Sequence, residues 1–292
     1  MRERVLQARR MQKAGFSVVR LAGALGISRQ AIYGVRHQAL PAPMPGGFRQ
    51  DDDPIQAALL TVCGDHPRYG TRRVRAVLGR QGWMVNRKRV QRLMRQAGLL
   101  VPAERPHAKS SGTPFTVTAP NQLWQTDLTK FWAGRQDGWA YVTAVIDCYT
   151  RELVGHAVTR RCRTADVLEA LQEAVESRFP EDDAVRRAAL HVRRDHGSQF
   201  TSRRYVDTLA ALGITGELSH YRHPDGNAFV ERFFGTLKDE EIWCTDYPDF
   251  ETAKEAIDRY IVHYNAQRLH SSLGYRTPVE VWQDWTLKSE VA

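Results

Sequence analysis

The spacing of hydrophobic and polar positions changes along the chain and divides it into a helical front and a mixed back. Over residues 54–100, apolar residues recur every three or four positions, the period of helices that bury one face. Between residues 123 and 159, three runs rich in β-branched and aromatic residues are separated by short polar segments, which predicts three consecutive strands. Helical and strand-like runs then alternate up to residue 219.

The back of the chain predicts a mixed five-stranded sheet. Its strands are expected over residues 123–131, 139–147, 152–159, 190–194 and 214–219. Helices are expected over residues 164–179, 203–212 and 250–266. This order is that of an α/β ribonuclease-H-like fold with helices on both faces of the sheet. Because the first and fourth strands are neighbours in that fold, we expect Asp127 to lie beside Asp195.

The first 40 residues predict three short helices with helix-turn-helix spacing. Gly26 supplies the turn, and Ser28 can cap the helix that follows it. In this interpretation Arg29, Gln30 and Tyr33 face the DNA major groove. A plain three-helix cap or a dimerisation hairpin is the structural alternative.

A second helical unit is predicted over residues 54–100, with helices at 55–63 and 71–81 and a third that Asn86 begins. No acidic residue lies between His66 and Ala103, whereas ten Arg and Lys residues do. Uncompensated cations repel one another, so a phosphate partner explains the run better than a solvated face. The expected DNA contacts are Arg72, Arg73, Arg75, Arg87, Lys88, Arg89 and Arg92.

Two segments have the composition of linkers. Residues 41–53 are rich in Pro and Gly and end in three aspartates, Asp51, Asp52 and Asp53, which we expect to be solvated. Residues 101–118 are basic and contain three prolines. The predicted parts are therefore 1–40, 41–53, 54–100, 101–118, a catalytic core at 119–285 and a tail at 286–292.

The charge of the chain is unevenly distributed. Its formal net charge is +9, but residues 1–118 hold 21 Lys and Arg against 6 Asp and Glu, a net +15, so the remaining 174 residues carry a net −6. Residues 1–118 have the positive charge expected of a part that binds a polyanion, and residues 119–292 need bound cations before they can approach phosphate. The four cysteines are too far apart for a zinc pattern, and no apolar run could span a membrane. We expect a cytoplasmic protein.

Three acidic residues in the back form a candidate metal site: Asp127 in a strand, Asp195 at the end of another, and Glu231 in the first turn of a predicted helix. Phosphodiester transfer depends on positioning and charge neutralisation, and carboxylates are the ligands that Mg²⁺ prefers. Two ions about 4 Å apart can clamp the attacking and leaving oxygens. The nearby acids Asp147, Glu152 and Asp166 are alternative third ligands.

The residues around these acids resemble a known family. The matching motifs are Trp124-x-Thr126-Asp127, Asp195-x-Gly197-Ser198-Gln199-Phe200, Asn227-Ala228-x-x-Glu231-x-Phe233-Phe234-x-x-Leu237-Lys238 and Tyr264-Asn265-x-x-Arg268-x-His270-x-x-Leu273-x-Tyr275-x-Thr277-Pro278. Over residues 54–285 the chain resembles the OrfB-type transposases of the "insertion sequence three" family, which share the Asp-Asp-Glu triad of retroviral-type integrases.

The resemblance implies a DNA transposase that cleaves 3′ ends and transfers strands, with Asp127, Asp195 and Glu231 as catalytic metal ligands. It implies two Mg²⁺ ions per site, with Mn²⁺ as a substitute. His196, Arg232 and Lys238 are the expected DNA contacts near the site. The implied partners are double-stranded DNA, both the element's terminal inverted repeats and the target, a second copy in a dimer or larger synaptic complex, and an upstream-frame fusion partner.

Two alternatives stay open at this point. A ribonuclease-H-like hydrolytic nuclease would use the same fold and metals but would not need two basic DNA-binding units. A non-catalytic DNA-binding regulator of the element would tolerate loss of Asp127, Asp195 or Glu231. A strand-transfer assay separates both from a transposase.

Overall fold

The computed structural model describes residues 24–25, 52–101, 117–180, 189–219 and 226–291. The chain divides into two compact units: a helical unit, which also includes Leu269–Tyr275, and a larger α/β unit. The predicted helix-turn-helix with Arg29, Gln30 and Tyr33 lies outside the described residues, as does most of the linker at 101–118.

Within residues 52–101 the helical unit has three helices, as the sequence predicts for residues 54–100. They are α1 (Asp53–Asp65), α2 (Thr71–Arg80) and α3 (Arg87–Gln96). The Asn86 side chain accepts a hydrogen bond from the Arg89 backbone N–H at 2.8 Å, which caps α3. The apolar stripes of the helices meet in one small core that includes Leu59, Val74, Leu78, Val90 and Met94.

One expectation for this unit is wrong. Asp52 is not solvated; it is fully buried, and its carboxylate accepts hydrogen bonds from Arg89 Nε at 2.7 Å and Arg92 Nη2 at 2.6 Å. The helix begins at Asp53, within the predicted linker. Two of the cations on α3 are therefore compensated by an acid that lies 37 and 40 residues earlier in the chain.

The α/β unit is built on the predicted five-stranded mixed sheet. Its strands are β1 (Leu123–Trp132), β2 (Trp139–Asp147), β3 (Leu153–Thr159), β4 (His191–Arg194) and β5 (Thr215–Leu218). The strand order is β3-β2-β1-β4-β5. The first three strands are antiparallel, and β4 runs parallel to both β1 and β5. The predicted contact between the first and fourth strands is confirmed.

Helices cover both faces of this sheet. The helical segments of the α/β unit are, in chain order, α4 (Thr164–Arg178), α5 (Ser198–Thr201), α6 (Arg203–Leu212), α7 (Ala228–Leu237), a π-helical turn (Lys238–Ile242), α8 (Phe250–Ala266) and α9 (Pro278–Val291). A 3₁₀ turn (Ser271–Leu273) between α8 and α9 belongs to the helical unit. Successive residues of β2 alternate between two cores: Val145 packs with α4 and α6, whereas Ala144 and Ile146 pack with α7 and α8. This is the ribonuclease-H-like arrangement. None of the helices in the described ranges is long and apolar enough to cross a bilayer.

Polar side chains attach the C-terminal end of α8 to the rest of the α/β unit. The Arg268 guanidinium donates two hydrogen bonds of 2.8 Å to Glu240, which also accepts one from the Tyr260 hydroxyl at 2.9 Å. The Asn265 side chain bonds both the N–H and the C=O of Leu153 at 2.9 Å. The segment between Tyr264 and Arg268, which carries part of the sequence motif, thereby ties α8 to β3 and to the π-helical turn.

Candidate active site

The parallel pairing of β1 with β4 brings two of the predicted carboxylates level. Trp124 lies opposite Val192 and Gln125 opposite Arg193. Continuing that register by two residues places Asp127 level with Asp195, which directly follows the last residue of β4. The two side chains have local partners: Asp127 accepts from the Leu128 N–H at 2.8 Å, and Asp195 accepts from the Gly197 N–H at 2.9 Å.

The helix that carries Glu231 is attached to the same strand. The Gln125 side-chain oxygen accepts from the backbone N–H groups of Phe229 at 2.9 Å and Val230 at 3.3 Å. Its amide nitrogen donates to the Gly226 carbonyl at 3.1 Å. Glu231 follows immediately, exposed in the first turn of α7. Gln125 is the unspecified position of the Trp124-x-Thr126-Asp127 motif, and this contact was not predicted from the sequence.

The pKa of Asp127 is shifted by the other charged groups of the predicted site. The pKa of the Asp127 carboxyl is raised to about 7, mainly by burial and to a smaller extent by the negative charges of Asp195 and Glu231. The Leu128 N–H and the Lys238 ammonium act in the opposite direction. For Lys238, burial lowers the pKa and Asp127 opposes that shift. All four groups therefore lie within electrostatic range of one another around Asp127.

The charge and chemistry of the cluster fit a divalent cation. A half-buried carboxyl crowded by two further carboxylates is costly to ionise, and a cation bound beside it would favour the ionised form. Nevertheless, in the part of the chain that the structure describes, no three His, Cys, Asp or Glu side chains converge closely enough to hold an ion.

The three alternative acids have structural partners instead. Asp147 is fully buried and accepts from the backbone N–H groups of Asn121 at 2.7 Å and Thr150 at 2.7 Å. Glu152 forms an ion pair with Arg178. Asp166 accepts from the N–H of Arg163 at 2.6 Å and so caps α4. These contacts explain the three acids without a metal.

The predicted DNA contacts of the helical unit separate into two groups. Arg89 and Arg92 bind Asp52, and Arg75 donates to the Val85 carbonyl at 3.0 Å. A second set is arranged around an open hollow of about 410 Å³ within the helical unit. The hollow is lined by Gly70, Thr71, Arg72, Arg73, Arg87, Gln91, Ser271 and Tyr275. Lys88 is exposed on α3.

The remaining predicted contacts lie around the α/β site. His196 is exposed, with its Nε2 at 2.8 Å from the Ser219 carbonyl oxygen. Arg232 is exposed beside Glu231 on α7, and Lys238 is half-buried at the start of the π-helical turn. Of the two arginines before Asp195, Arg193 binds Glu217 at 2.8 Å, and Arg194 is buried against the Tyr205 ring.

Comparison with known proteins gives matches to both units. The family described as integrase core domain matches residues 117–224, and a second family of the same description matches residues 212–278. The family described as HTH-like domain matches residues 50–107.

Named relatives extend the similarity over most of the chain. The transposase for insertion sequence element IS904 of Lactococcus lactis is 32% identical over 239 residues, which are 77% of this chain and 91% of the relative. The putative transposase InsK of element IS150 of Escherichia coli is 34% identical over 73% of this chain and 77% of its own length. Among solved structures, the catalytic core of BIV integrase is 20% identical, covers 59% of this chain and 99% of its own, and has a TM-score of 0.43.

Proposed function

Because the chain belongs to the family of insertion-sequence transposases, we propose that Asp127, Asp195 and Glu231 form the catalytic site with which it moves its element. The family places the protein in DNA transposition as a polynucleotidyl transferase with an integrase core and an HTH-like DNA-binding domain. The proposal concerns which residues perform the reaction and on which DNA ends.

The observation that supports the triad is the shared environment of its members. The β1–β4 register sets Asp127 level with Asp195, and Gln125 holds the first turn of α7 against β1. The raised pKa of Asp127, which Asp195 and Glu231 increase, makes this a place where a cation is favoured. Sites that stabilise developing phosphate charge need such a concentration of ligands.

The reaction consists of two phosphodiester steps. In the first, water cleaves the bond at the element end and leaves a 3′-hydroxyl; in the second, that hydroxyl attacks another phosphodiester and releases a new 3′-hydroxyl. The three carboxylates would hold two Mg²⁺ ions, for which Mn²⁺ can substitute, and these ions supply positive charge to the attacking and leaving oxygens. Lys238, Arg232 and His196 would contact the DNA phosphates beside the site.

The helical unit supplies DNA binding in this proposal. Arg72, Arg73 and Arg87 around the hollow, with Lys88 on α3, would contact phosphate oxygens of the terminal inverted repeat. Arg75, Arg89 and Arg92, which were also expected to do so, have partners within the protein and are assigned mainly to its structure. The first 40 residues, with Arg29, Gln30 and Tyr33, would form a further DNA-binding unit.

The assembly and location follow from the substrate. Two element ends must be processed together, so we propose a dimer or larger synaptic complex, acting on the bacterial chromosome in the cytoplasm. A frameshift fusion with an upstream reading frame is a further form to test. The domain boundaries 54–100 and 119–285 are retained, with Asp52 and Asp53 added to the helical unit.

A cleavage and strand-transfer assay on labelled element-end DNA tests the triad. Glu231→Gln keeps the size of the side chain and removes its charge, so both products should fall by at least about a hundredfold while end binding persists. Glu255→Gln, an exposed acid paired with Arg259 on α8, is the matched control and should retain activity.

Each alternative function gives a different result in the same assay. Undiminished products from Glu231→Gln would exclude the triad. Cleaved but never joined DNA from the wild-type protein would indicate a hydrolytic nuclease. Binding without any product, also when the upstream frame is fused, would indicate a regulator.

A further inference from the structure

We propose that Gln125 is a positioning residue of the active site, because its side chain fixes the helix that carries Glu231 to the strand that carries Asp127. This inference rests on the proposed function, since it assigns Gln125 a task in aligning two members of the triad. Gln125 itself would touch neither metal nor DNA.

The first turn of α7 receives its cap from a distant strand. A helix begins with N–H groups that have no partner within the helix, and a side chain at the N-cap position normally accepts from one of them. At the N-cap of α7, Asn227 makes no such bond. The acceptor is instead the side chain of Gln125, which takes the N–H groups of Phe229 and Val230.

The contact is buried and has several points of attachment. Gln125 has an exposed fraction of 2%, and its amide also donates to the Gly226 carbonyl just before the helix. In a parallel contact, the Asn227 amide reaches the Thr126 carbonyl at 3.4 Å. Two successive residues of β1, Gln125 and Thr126, therefore hold the start of α7. Gln125 binds two backbone N–H groups of the helix and the Gly226 carbonyl before it, and the Thr126 carbonyl binds the Asn227 side chain.

The position of Gln125 links this cap to catalysis. Side chains at positions i and i+2 of a strand share one face of a sheet, so Gln125 and Asp127 face the same side. Glu231 follows directly after the second capped amide, Val230. The bond between Gln125 and the Val230 N–H thus fixes the backbone of Glu231 with respect to Asp127. Glu231 is the next residue after Val230, and Asp127 is two residues after Gln125.

The expected consequence of losing the cap is misalignment with the fold retained. The buried faces of Val230, Phe233, Phe234 and Leu237 still hold α7 on the sheet. Groups that orient metal ligands typically change activity or metal affinity by about ten- to a hundredfold when they are removed. We expect losses of that size, with unchanged affinity for the DNA end.

The experiment compares full-length Gln125→Met, which keeps the length of the side chain without its polar atoms, with Gln125→Asn, which keeps the amide but is one methylene too short. Gln122→Met is the matched control, because Gln122 is exposed and its side chain bonds Thr118 and Ala119, before β1 begins. Three quantities are measured: hydrogen exchange of the Phe229 and Val230 amides, end-DNA binding, and the rate of product formation as Mg²⁺ is titrated.

Three results together support the inference. Exchange at the two amides accelerates in both Gln125 variants, the maximal rate falls about ten- to a hundredfold or the Mg²⁺ concentration for half-maximal rate rises by a similar factor, and DNA binding stays at the wild-type level. A residue needed only for folding would instead accelerate amide exchange throughout the α/β unit and reduce activity in proportion to the unfolded fraction. If Gln125→Met does not fold, Gln125→Asn carries the comparison.

Two results overturn it: wild-type rate and Mg²⁺ dependence in variants whose amides exchange faster, or lost activity with unchanged exchange. Failure of the proposed function is separate and shows as retained activity in Glu231→Gln. The amide-exchange measurement reports the cap in either case.

Discussion

Replacing Asp127 by Asn should stabilise the metal-free protein while abolishing its activity. Asp127 is half-buried beside two other carboxylates, and this environment opposes its ionised form. Asn has the same shape and can still accept from the Leu128 N–H. The substitution therefore removes an unfavourable charge without removing a hydrogen bond or creating a cavity.

The size of the effect follows from the shift of the Asp127 pKa from 3.8 to about 7. A shift of that size corresponds to at most about 4 kcal/mol, because one pKa unit is about 1.4 kcal/mol. Partial exposure allows solvent to screen the charge, so we expect a gain in unfolding free energy of about 1–3 kcal/mol. For a domain of this size that is a rise in Tm of roughly 2–10 °C.

The size of the effect changes with pH in a defined window, while its sign stays the same. Below pH 3.8 both folded and unfolded wild type hold the proton, so no penalty exists. Between pH 3.8 and about 7 the unfolded chain ionises while the folded chain keeps its proton, and the penalty grows as pH rises. Above about pH 7 the penalty is complete. The advantage of Asp127→Asn should be full at pH 8 and much smaller at pH 5.

The assay is thermal or denaturant unfolding of both proteins with a chelator, at pH 8 and pH 5. Asp207→Asn is the control, since Asp207 is an exposed acid paired with Arg203 on α6 and its loss should change stability by less than about 0.5 kcal/mol. No gain at pH 8, or an equal gain at both pH values, would refute the reasoning. Added Mg²⁺ should stabilise wild type more than Asp127→Asn.

Two further predictions concern the scaffold. Gly155→Ala should destabilise the α/β unit by about 1–3 kcal/mol or more in a melting experiment. The reason is that a Cβ at this position of β3 would lie 2.2 Å from the Ala170 carbonyl oxygen of α4. Gly235→Ala is the control and should be tolerated, because the space around Gly235 is open. Glu240→Gln should cost about 3–5 kcal/mol, because the buried Arg268 loses its counter-charge; if Glu240→Gln melts like wild type, the ion pair is not a determinant of stability.

The sheet and its helices could be predicted because local patterns determine them. Strand β2 and helices α6 and α8 have the bounds that the sequence predicts, and Asn86 caps α3 as expected. The neighbouring positions of Asp127 and Asp195 followed from strand order, which connection rules restrict. Hydrophobic periodicity and caps act over a few residues, so they can be read from the chain directly.

The contacts of Asp52 and Gln125, which were not predicted from the sequence, join residues far apart in the chain. Asp52 looked like part of a solvated linker because its partners Arg89 and Arg92 lie on a later helix. Gln125 looked like an ordinary strand residue because the amides it caps are more than 100 residues away. The type of a polar residue and its neighbours in the sequence do not identify a distant partner. The two residues come together only in the packed fold.

The π-helical turn after α7 has a consequence for insertions and deletions. In this turn the Trp243 N–H reaches back five residues to the Lys238 carbonyl at 2.8 Å, so the turn holds one residue more than an α-helical turn. Deleting Asp239 would restore the α-helical period and rotate Glu240 by about 100° relative to Glu231. Glu240 could then no longer bind Arg268. The number of residues between Glu231 and Glu240 is thus fixed by helix geometry. Substitutions are tolerated there more easily than insertions or deletions.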